Sequence, residues 1–369
     1  MITRMERSLF ASEAVVRVAQ AALVVLLLGL SSAGVDAQEA SSTDGTAASG
    51  GGQEFSPMAA SPVTTTQLTD PITGQLFEAE VLLVTNGRGG YDSDGCPYSQ
   101  GPQPRAYAIA TSPYTLYSAP VESYGKGVPA KATGSLHQYL QQFADKEATS
   151  PLTPTRRYEL AALAAEHLGE GPYAVGDYLL SAGWTVRDRI VGFLPAVQGA
   201  SDAWEKLQGV LPDYRAVASP RGRTLASFDL ARLSHRGGFG WERDALLAQL
   251  ESFPDAGLGA FSKREEFRRL VRREHELLRA ARSRFEEGLG MGLGSSEDRS
   301  YRRYLVGELS RRLGELERAG DELRAVANDT ETSAEVLGVV RDILAVLQLQ
   351  GATASALDLS WTNEAKEAP

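Results

Sequence analysis

Residues 70 to 117 constrain this fold most, because they have the spacing of a cysteine-knuckle module but hold a single cysteine. Asp70-Pro71-Ile72-Thr73-Gly74 and Ser112-Pro113-Tyr114-Thr115-Leu116-Tyr117 each follow the pattern Cys-Pro-x-Cys. Asp70, Thr73, Ser112 and Thr115 stand where cysteines would. Cys96 lies between them, in Asp92-Ser93-Asp94-Gly95-Cys96-Pro97-Tyr98, and it is the one cysteine of the chain. Zinc favours thiolate and imidazole, which neutral hydroxyls do not supply. The expectation is a metal-free knuckle held by the side-chain to backbone hydrogen bonds that Asp, Ser and Thr make in turns.

A single cysteine also excludes an intramolecular disulfide. The histidines are His137, His167, His235 and His275, and no two are four residues apart, so a helical zinc-protease pair is absent. The net charge of −10 argues against a nucleic-acid partner, which favours a basic domain.

The N-terminus reads as an export signal. Arg4, Arg7 and Arg17 precede the apolar run from Ala21 to Leu30, and small residues follow to Val35-Asp36-Ala37. Cleavage is expected after Ala37, with an uncleaved anchor as the alternative. The apolar run is shorter than the about 20 residues of a membrane span, so a cleaved chain would keep no stable span. The chain is therefore expected to be exported to the periplasm or cell envelope. Residues 38–62 are Gly, Ser, Ala and Thr with few large apolar groups, which is the composition of a flexible linker.

The rest predicts an α+β fold. A β-rich, Pro/Gly-rich module is expected over 63–133, a mainly helical domain over 134–350 and a loose tail over 351–369. Strand candidates are residues 81–84 and 106–111. Asn86-Gly87 and Gly89-Gly90 are turn signals after the first. Helices are expected over 137–144, 156–168, 173–186, 202–210, 241–250, 262–289, 302–316, 319–327 and 333–349. In the long helix over 262–289, Phe267, Leu270, Val271, Leu278, Phe285 and Leu289 recur at three- and four-residue steps, an amphipathic pattern. Its interleaved Arg and Glu read as a solvated face.

Two helix pairs repeat a spacing. Gly169, Ala174 and Tyr178 match Gly314, Ala319 and Leu323, with Gly307 at a further small position. This is the turn glycine, small residue and bulky residue pattern of a tetratricopeptide unit. A plain helical bundle is the alternative.

Together these segments resemble an uncharacterised bacterial family, number 2225 of the domains of unknown function. The matching text is Asp70 to Phe77, Asp92 to Tyr98, Tyr107 to Ile109, Ser112 to Thr115, Tyr158 to Leu163, Ala182 to Asp188, Tyr304 to Leu309 and Arg311 to Gly314. The resemblance implies a zinc-ribbon-like module beside a tetratricopeptide-like helical part, and no activity. The chain departs from it at the ligand positions Asp70, Thr73, Ser112 and Thr115.

Candidate chemistry is sparse. Asp92-Ser93-Asp94-Gly95 opens like a calcium loop but lacks the later ligands and the closing Glu. Asn86, Gly87, Gly89 and Gly90 are not followed by a helix N-terminus, and Asp92 and Asp94 would repel phosphate, so a turn is expected. Cys96 reads as a small buried hydrophobe. Trp184 reads as core. No catalytic residue and no cofactor emerge. The expected role is non-catalytic binding of a protein or peptide partner through helix-pair surfaces. The rivals are a metal site of Asp70, Cys96, Asp92 and Asp94, or an enzyme site at the junction of the β module and the helices.

Overall fold

The computed structural model describes residues 62–144, 152–192, 194–217, 219–250 and 259–353. The expected export signal, the linker to residue 61 and the tail beyond 353 lie outside the described residues.

The first part of the chain is three small β-hairpins. Strands β1 (Val63–Thr69) and β2 (Leu76–Leu82) pair antiparallel, Thr66 opposite Ala79, and turn through Asp70–Gln75. Strands β3 (Gly90–Tyr91) and β4 (Pro97–Tyr98) pair across the turn that holds Asp92 to Cys96. A four-residue helix, α1 (Arg105–Ala108), leads into β5 (Ile109–Thr111), which pairs with β6 (Ser118–Pro120) around the turn 112–117.

Two strand expectations need correction. The first strand ends at Leu82, and Leu83 and Val84 lie exposed beyond it. Residues 106–108 are helical, because the Ala106 and Tyr107 N–H groups donate to the carbonyls of Gln103 and Pro104, and the strand begins only at Ile109.

The helices are α2 (Ala130–Gln141), α3 (Pro154–His167), α4 (Pro172–Val191), α5 (Gly199–Ala216), α6 (Pro220–Gly237), α7 (Gly240–Gln249), α8 (Ala260–Gly290), α9 (Ser296–Arg312), α10 (Leu316–Ala327) and α11 (Ala334–Thr353). Their starts follow capping chemistry. The Thr153 hydroxyl accepts from the Arg156 N–H, and Pro154 and Pro172 sit in first turns. Ser295 and Asp298 form a reciprocal capping box at α9. Helix α6 is not among the expected helices, although Ser219-Pro220 starts it and Gly238, at φ +75°, ends it. Its inward residues include Ser227, Ser234, His235 and Arg236, which blur the apolar period. Helix α5 runs through Pro212 instead of stopping near 210.

Helix α4 packs antiparallel between α3 and α8. A Cβ on Gly183 would lie 3.0 Å from Leu278, and one on Gly176 would lie 2.5 Å from the Phe285 ring. These glycines let the two helices approach closely. The two matched pairs, α3/α4 and α9/α10, close with the same turn. Gly169 (φ +75°) and Gly314 (φ +83°) take the left-handed conformation, and Glu170 and Glu315 donate their N–H to the carbonyls of Ala165 and Ser310 at 2.9 Å each. Ala319 and Leu323 are fully buried, and Leu323 lies against Gly307. Ala174 and Tyr178 are half-buried, with Tyr178 packed on Ala162, Ala165 and Val175.

The β hairpins and the helices share cores. Phe77, Tyr117 and Tyr124 pack with Leu136 and Leu140 of α2 and Ala164 of α3. The boundary expected at 133/134 therefore falls inside α2. The β3–β4 hairpin is drawn further in, since β3 also pairs in parallel with β7 (Val197–Gln198) just before α5.

Candidate functional site

The two knuckle-like turns face each other across one carboxylate. Asp70 is fully buried. Its Oδ1 accepts the N–H groups of Ile72 at 2.7 Å and Thr73 at 3.2 Å. Its Oδ2 accepts the hydroxyls of Ser112 and, at 2.8 Å, Thr115. Ser112, Thr115 and Thr73 in turn accept the N–H two residues ahead, from Tyr114, Tyr117 and Gln75, at 3.2, 3.3 and 3.4 Å. The main-chain bonds match as well. Gly74 donates to the Asp70 carbonyl at 2.8 Å and Leu116 to the Ser112 carbonyl at 3.0 Å. Gly74 and Leu116 occupy the same place in the two turns, both at positive φ (+75° and +61°). Leucine is disfavoured there, so the turn imposes the conformation on it. Burial works to raise the Asp70 carboxyl, and the hydrogen bonds from Ser112, Ile72, Thr115 and Thr73 bring it below its ordinary value.

Thr73 is exposed and does not reach the Asp70 carboxylate with its side chain. Cys96 is elsewhere, buried against Tyr98 and Val191, where burial pushes its thiol well up. Asp70 shares no partner with Cys96, Asp92 or Asp94, so the set of four proposed as a metal site is not brought together. Among the described residues, no three His, Cys, Asp or Glu side chains converge as metal ligands.

Asp92-Ser93-Asp94 forms the second site. The tip of the β3–β4 hairpin enters the helical body and meets four arginines. Asp92 Oδ1 accepts Arg236 Nε at 2.8 Å, and its Oδ2 accepts Arg187 Nη1 at 2.9 Å and the Tyr98 hydroxyl at 3.0 Å. Asp94 takes Arg187 as a fork, at 2.9 and 2.7 Å, and the Trp184 indole N–H at 3.0 Å. The Ser93 hydroxyl donates to Glu308 at 2.6 Å, while the Tyr304 hydroxyl donates to the Ser93 carbonyl. Arg311 and Arg312 close on Glu308 at 2.7 and 2.8 Å. Arg187 Nε reaches Glu274 at 2.8 Å, and Glu274 also meets His235 Nε2 at 2.6 Å.

Arginines 187, 236, 311 and 312 thus balance carboxylates 92, 94, 274 and 308, and each of the eight carboxylate oxygens has a donor. Every one of these side chains is nearly or fully closed to solvent. Spare guanidinium N–H groups go to backbone. Arg236 donates to Gly89 and Pro195, and Arg311 to Gly237 and Gly238 at the end of α6. Burial opposes ionisation of Asp94, yet Arg187 and Arg312 hold its carboxyl far below the usual range. Arg187 and His235 do the same for Glu274 against burial. Arg243 donates to His235 Nδ1 at 3.2 Å, so His235 is neutral and gives its Nε2–H to Glu274. Burial lowers the His235 pKa against the pull of Glu274, with Arg243 assisting.

The remaining loop residues are structural neighbours of this site. Asn86 bonds both ways with Gln100, its Oδ1 accepting at 3.1 Å and its Nδ2 donating at 3.2 Å. The Gly87 carbonyl accepts the Gly90 N–H at 3.1 Å. Gly90 pairs so closely with β7 that a Cβ would sit 2.0 Å from the Val197 carbonyl oxygen. Trp184 is half-buried and bonds to Asp94, so it anchors the hairpin as well as packing. Beside the site, Tyr98 lies between Arg236 and Arg105, 4.1 and 4.8 Å from its ring centre, and Arg105 forks onto Asp188.

Sequence reasoning missed all four arginines, Glu274, Glu308 and His235. A signal was nevertheless present. Asp92 to Tyr98, Ala182 to Asp188, Tyr304 to Leu309 and Arg311-Arg312 are segments of the family resemblance, and they converge here. Comparison of the chain with protein-family models, with curated proteins and with solved structures returned no match.

Proposed function

We propose that the chain is an exported, non-catalytic interaction protein. In this reading a metal-free, zinc-ribbon-like module and tetratricopeptide-like helix pairs form one rigid body that binds a protein or peptide partner. The observation that carries it is the buried network around Asp92-Ser93-Asp94. The charged groups at the junction of module and helices are spent on one another, which suits a fixed frame better than a working site. A rigid frame lowers the ordering cost of binding at its surface.

The matched turns at 70–75 and 112–117 support descent from a zinc knuckle, with the Asp70 carboxylate filling the place of the metal. The shared closing turns at Gly169 and Gly314 support a tetratricopeptide-like relation between the two helix pairs. Both features favour kinship with the domain-of-unknown-function family 2225. Among the described residues the metal rival has no convergent ligands, and the junction expected to house an enzyme site is filled by arginine–carboxylate pairs. Export, with cleavage after Ala37, rests on the sequence of residues 1–37. Among the described residues no helix is long and apolar enough to cross a membrane.

In-cell photo-crosslinking of the tagged full chain tests the reading. A benzophenone residue replaces exposed Glu276 on α8 or exposed Leu83 beyond β2. One reproducible envelope protein crosslinked from the helical position, and not from Leu83, is expected. No adduct above the unirradiated control at the helical position refutes partner binding. Intact-mass analysis of the same sample is expected to place the first residue at Gln38; a chain retaining Met1 replaces cleavage with anchoring.

A further inference from the structure

A cleft of about 440 Å³ opens where the start of α3, the end of α4 and the middle of α8 meet. Its walls carry Arg156, Arg189, Arg269, Arg272 and Arg273 against Glu159 and Glu276. Glu266 stands on the rim, paired to Arg189 at 3.1 Å and Arg269 at 2.6 Å. Arg273 bridges Glu159 and Glu276. Arg272 is exposed and makes no ion pair among the described residues. Even with Glu266 counted, positive charge is in excess by two, on a chain whose net charge is −10. Two further features shape the cleft. Buried Val186 and Leu270 give it an apolar floor. The N-terminal end of α3, capped by Thr153, points its positive dipole end toward the same space.

We propose that this cleft binds an acidic peptide segment carrying an apolar side chain, and so is the docking point for the partner in the reading above, on which it rests. Guanidinium groups pair with carboxylates in two-bond geometry, and Arg272 is the one ready to do so without giving up an existing pair. The apolar floor gives an aliphatic side chain a place between the charges. The interleaved glutamates select against compact polyanions. A phosphate dense enough to engage several arginines would meet Glu159, Glu276 and Glu266 as well, whereas an extended peptide spaces its charges and avoids them.

Fluorescence anisotropy with the full chain tests this. The probe is a fluorescein-labelled hexapeptide alternating Asp, Leu and Glu; its amide analogue carries Asn and Gln. The acidic probe is expected to bind at least tenfold more tightly than the amide analogue. Arg272→Glu with Arg189→Glu is expected to weaken it at least tenfold. Both side chains are exposed and outside the buried network, so the fold is kept, and an unchanged melting temperature confirms that. Affinity is expected to fall steeply with salt. Equal binding of the two peptides, or no effect of the double variant, overturns the proposal. So does displacement of the probe by millimolar inorganic phosphate or by phosphatidylglycerol vesicles, which would assign the cleft to phosphate chemistry. A crosslinked partner that persists in the double variant overturns the cleft as docking point while leaving partner binding intact.

Discussion

Removing one member of the buried network separates a paired charge in the interior from a pair at the surface. Arg187 is the informative residue, because among the four arginines it alone donates hydrogen bonds to three carboxylates, Asp92, Asp94 and Glu274, whereas Arg312 hydrogen-bonds Glu308 and stands 3.5 and 3.9 Å from Asp94 and Asp92. Arg187→Met keeps the length of the side chain and takes one counter-charge from each of its three partners; Glu274 then has no cation left, while Asp92 keeps Arg236 and Asp94 keeps Arg312 at 3.5 Å. Breaking a buried pair by removing one partner costs roughly 3–5 kcal/mol, and three pairs broken at once place this variant at the upper end, about 5 kcal/mol. Asp94→Asn keeps the shape and removes one charge, while Arg187 retains Asp92 and Glu274. Its cost is expected at the lower end, about 3 kcal/mol. At roughly 2–4 °C per kcal/mol for a domain of 150–250 residues, these are falls of about 10–20 °C and about 6–12 °C. Arg324→Met, in the exposed pair with Asp321, is the control and is expected to cost under about 1 kcal/mol. Differential scanning calorimetry at pH 7 with urea unfolding reads all three. If Arg187→Met and Asp94→Asn both stay within about 1 kcal/mol of the control, water reaches the network and the reasoning fails. If Asp94→Asn costs more than Arg187→Met, the assignment of Arg187 as the hub is wrong. Should Arg187→Met not accumulate folded, Asp94→Asn still decides the first point.

Two further outcomes follow from the same geometry. Burial, outweighing the pull of Glu274 and assisted by Arg243, brings His275 down to about 4 from an ordinary value of 6.5. The unfolded chain therefore binds its proton first on acidification. The stability this group contributes is complete above pH 6.5 and is lost as pH falls toward 4, so His275→Gln is expected to flatten the melting temperature between those values; an unchanged slope refutes it. Replacing all four knuckle positions (Asp70→Cys, Thr73→Cys, Ser112→Cys and Thr115→Cys) is expected to create a tetrahedral site that takes up one zinc per chain, measured by elemental analysis after dialysis. A folded variant without zinc would mean that the two turns only imitate a knuckle.

What could be read from the sequence was what local rules determine. Turn residues marked 70–75 and 112–117, and the three- and four-residue steps of Phe267, Leu270, Val271, Leu278 and Phe285 marked α8. Gly169 and Gly314 marked two helix ends through one physical requirement, a left-handed backbone. Helix α6 escaped because its buried face carries Ser234, His235 and Arg236, so the pattern of apolar residues could not report burial. The network escaped for the same reason at greater range. Arg187 and Arg311 look like solvated charges in any window of sequence, and only the partner 93 or 218 residues away shows otherwise. Asp92 and Asp94 stand out in the sequence for their carboxylates, yet a turn of three residues does not reveal that arginines from three helices converge on it.

The network also answers a question that apolar packing leaves open. Helices α4 and α8 meet along a seam in which glycines face larger residues, Gly176 with Phe285 and Gly183 with Leu278. That seam sets its register through shape alone, because apolar contact is itself non-directional. Arg187 stands one turn beyond Gly183 on α4, and Glu274 one turn before Leu278 on α8, so their 2.8 Å contact continues the same antiparallel register. A slip of one helical turn displaces Glu274 by about 5.4 Å and strands both charges in the interior. The hairpin tip adds a second condition, because Asp94 reaches Arg187 only when the β module is docked, and Ser93 reaches Glu308 only when α9 is in place. Buried ion pairs contribute little net stability beside an apolar equivalent, but misplacing them is costly. The consequence is a single arrangement of hairpin, α4, α6, α8 and α9, selected against neighbouring registers by the charges themselves.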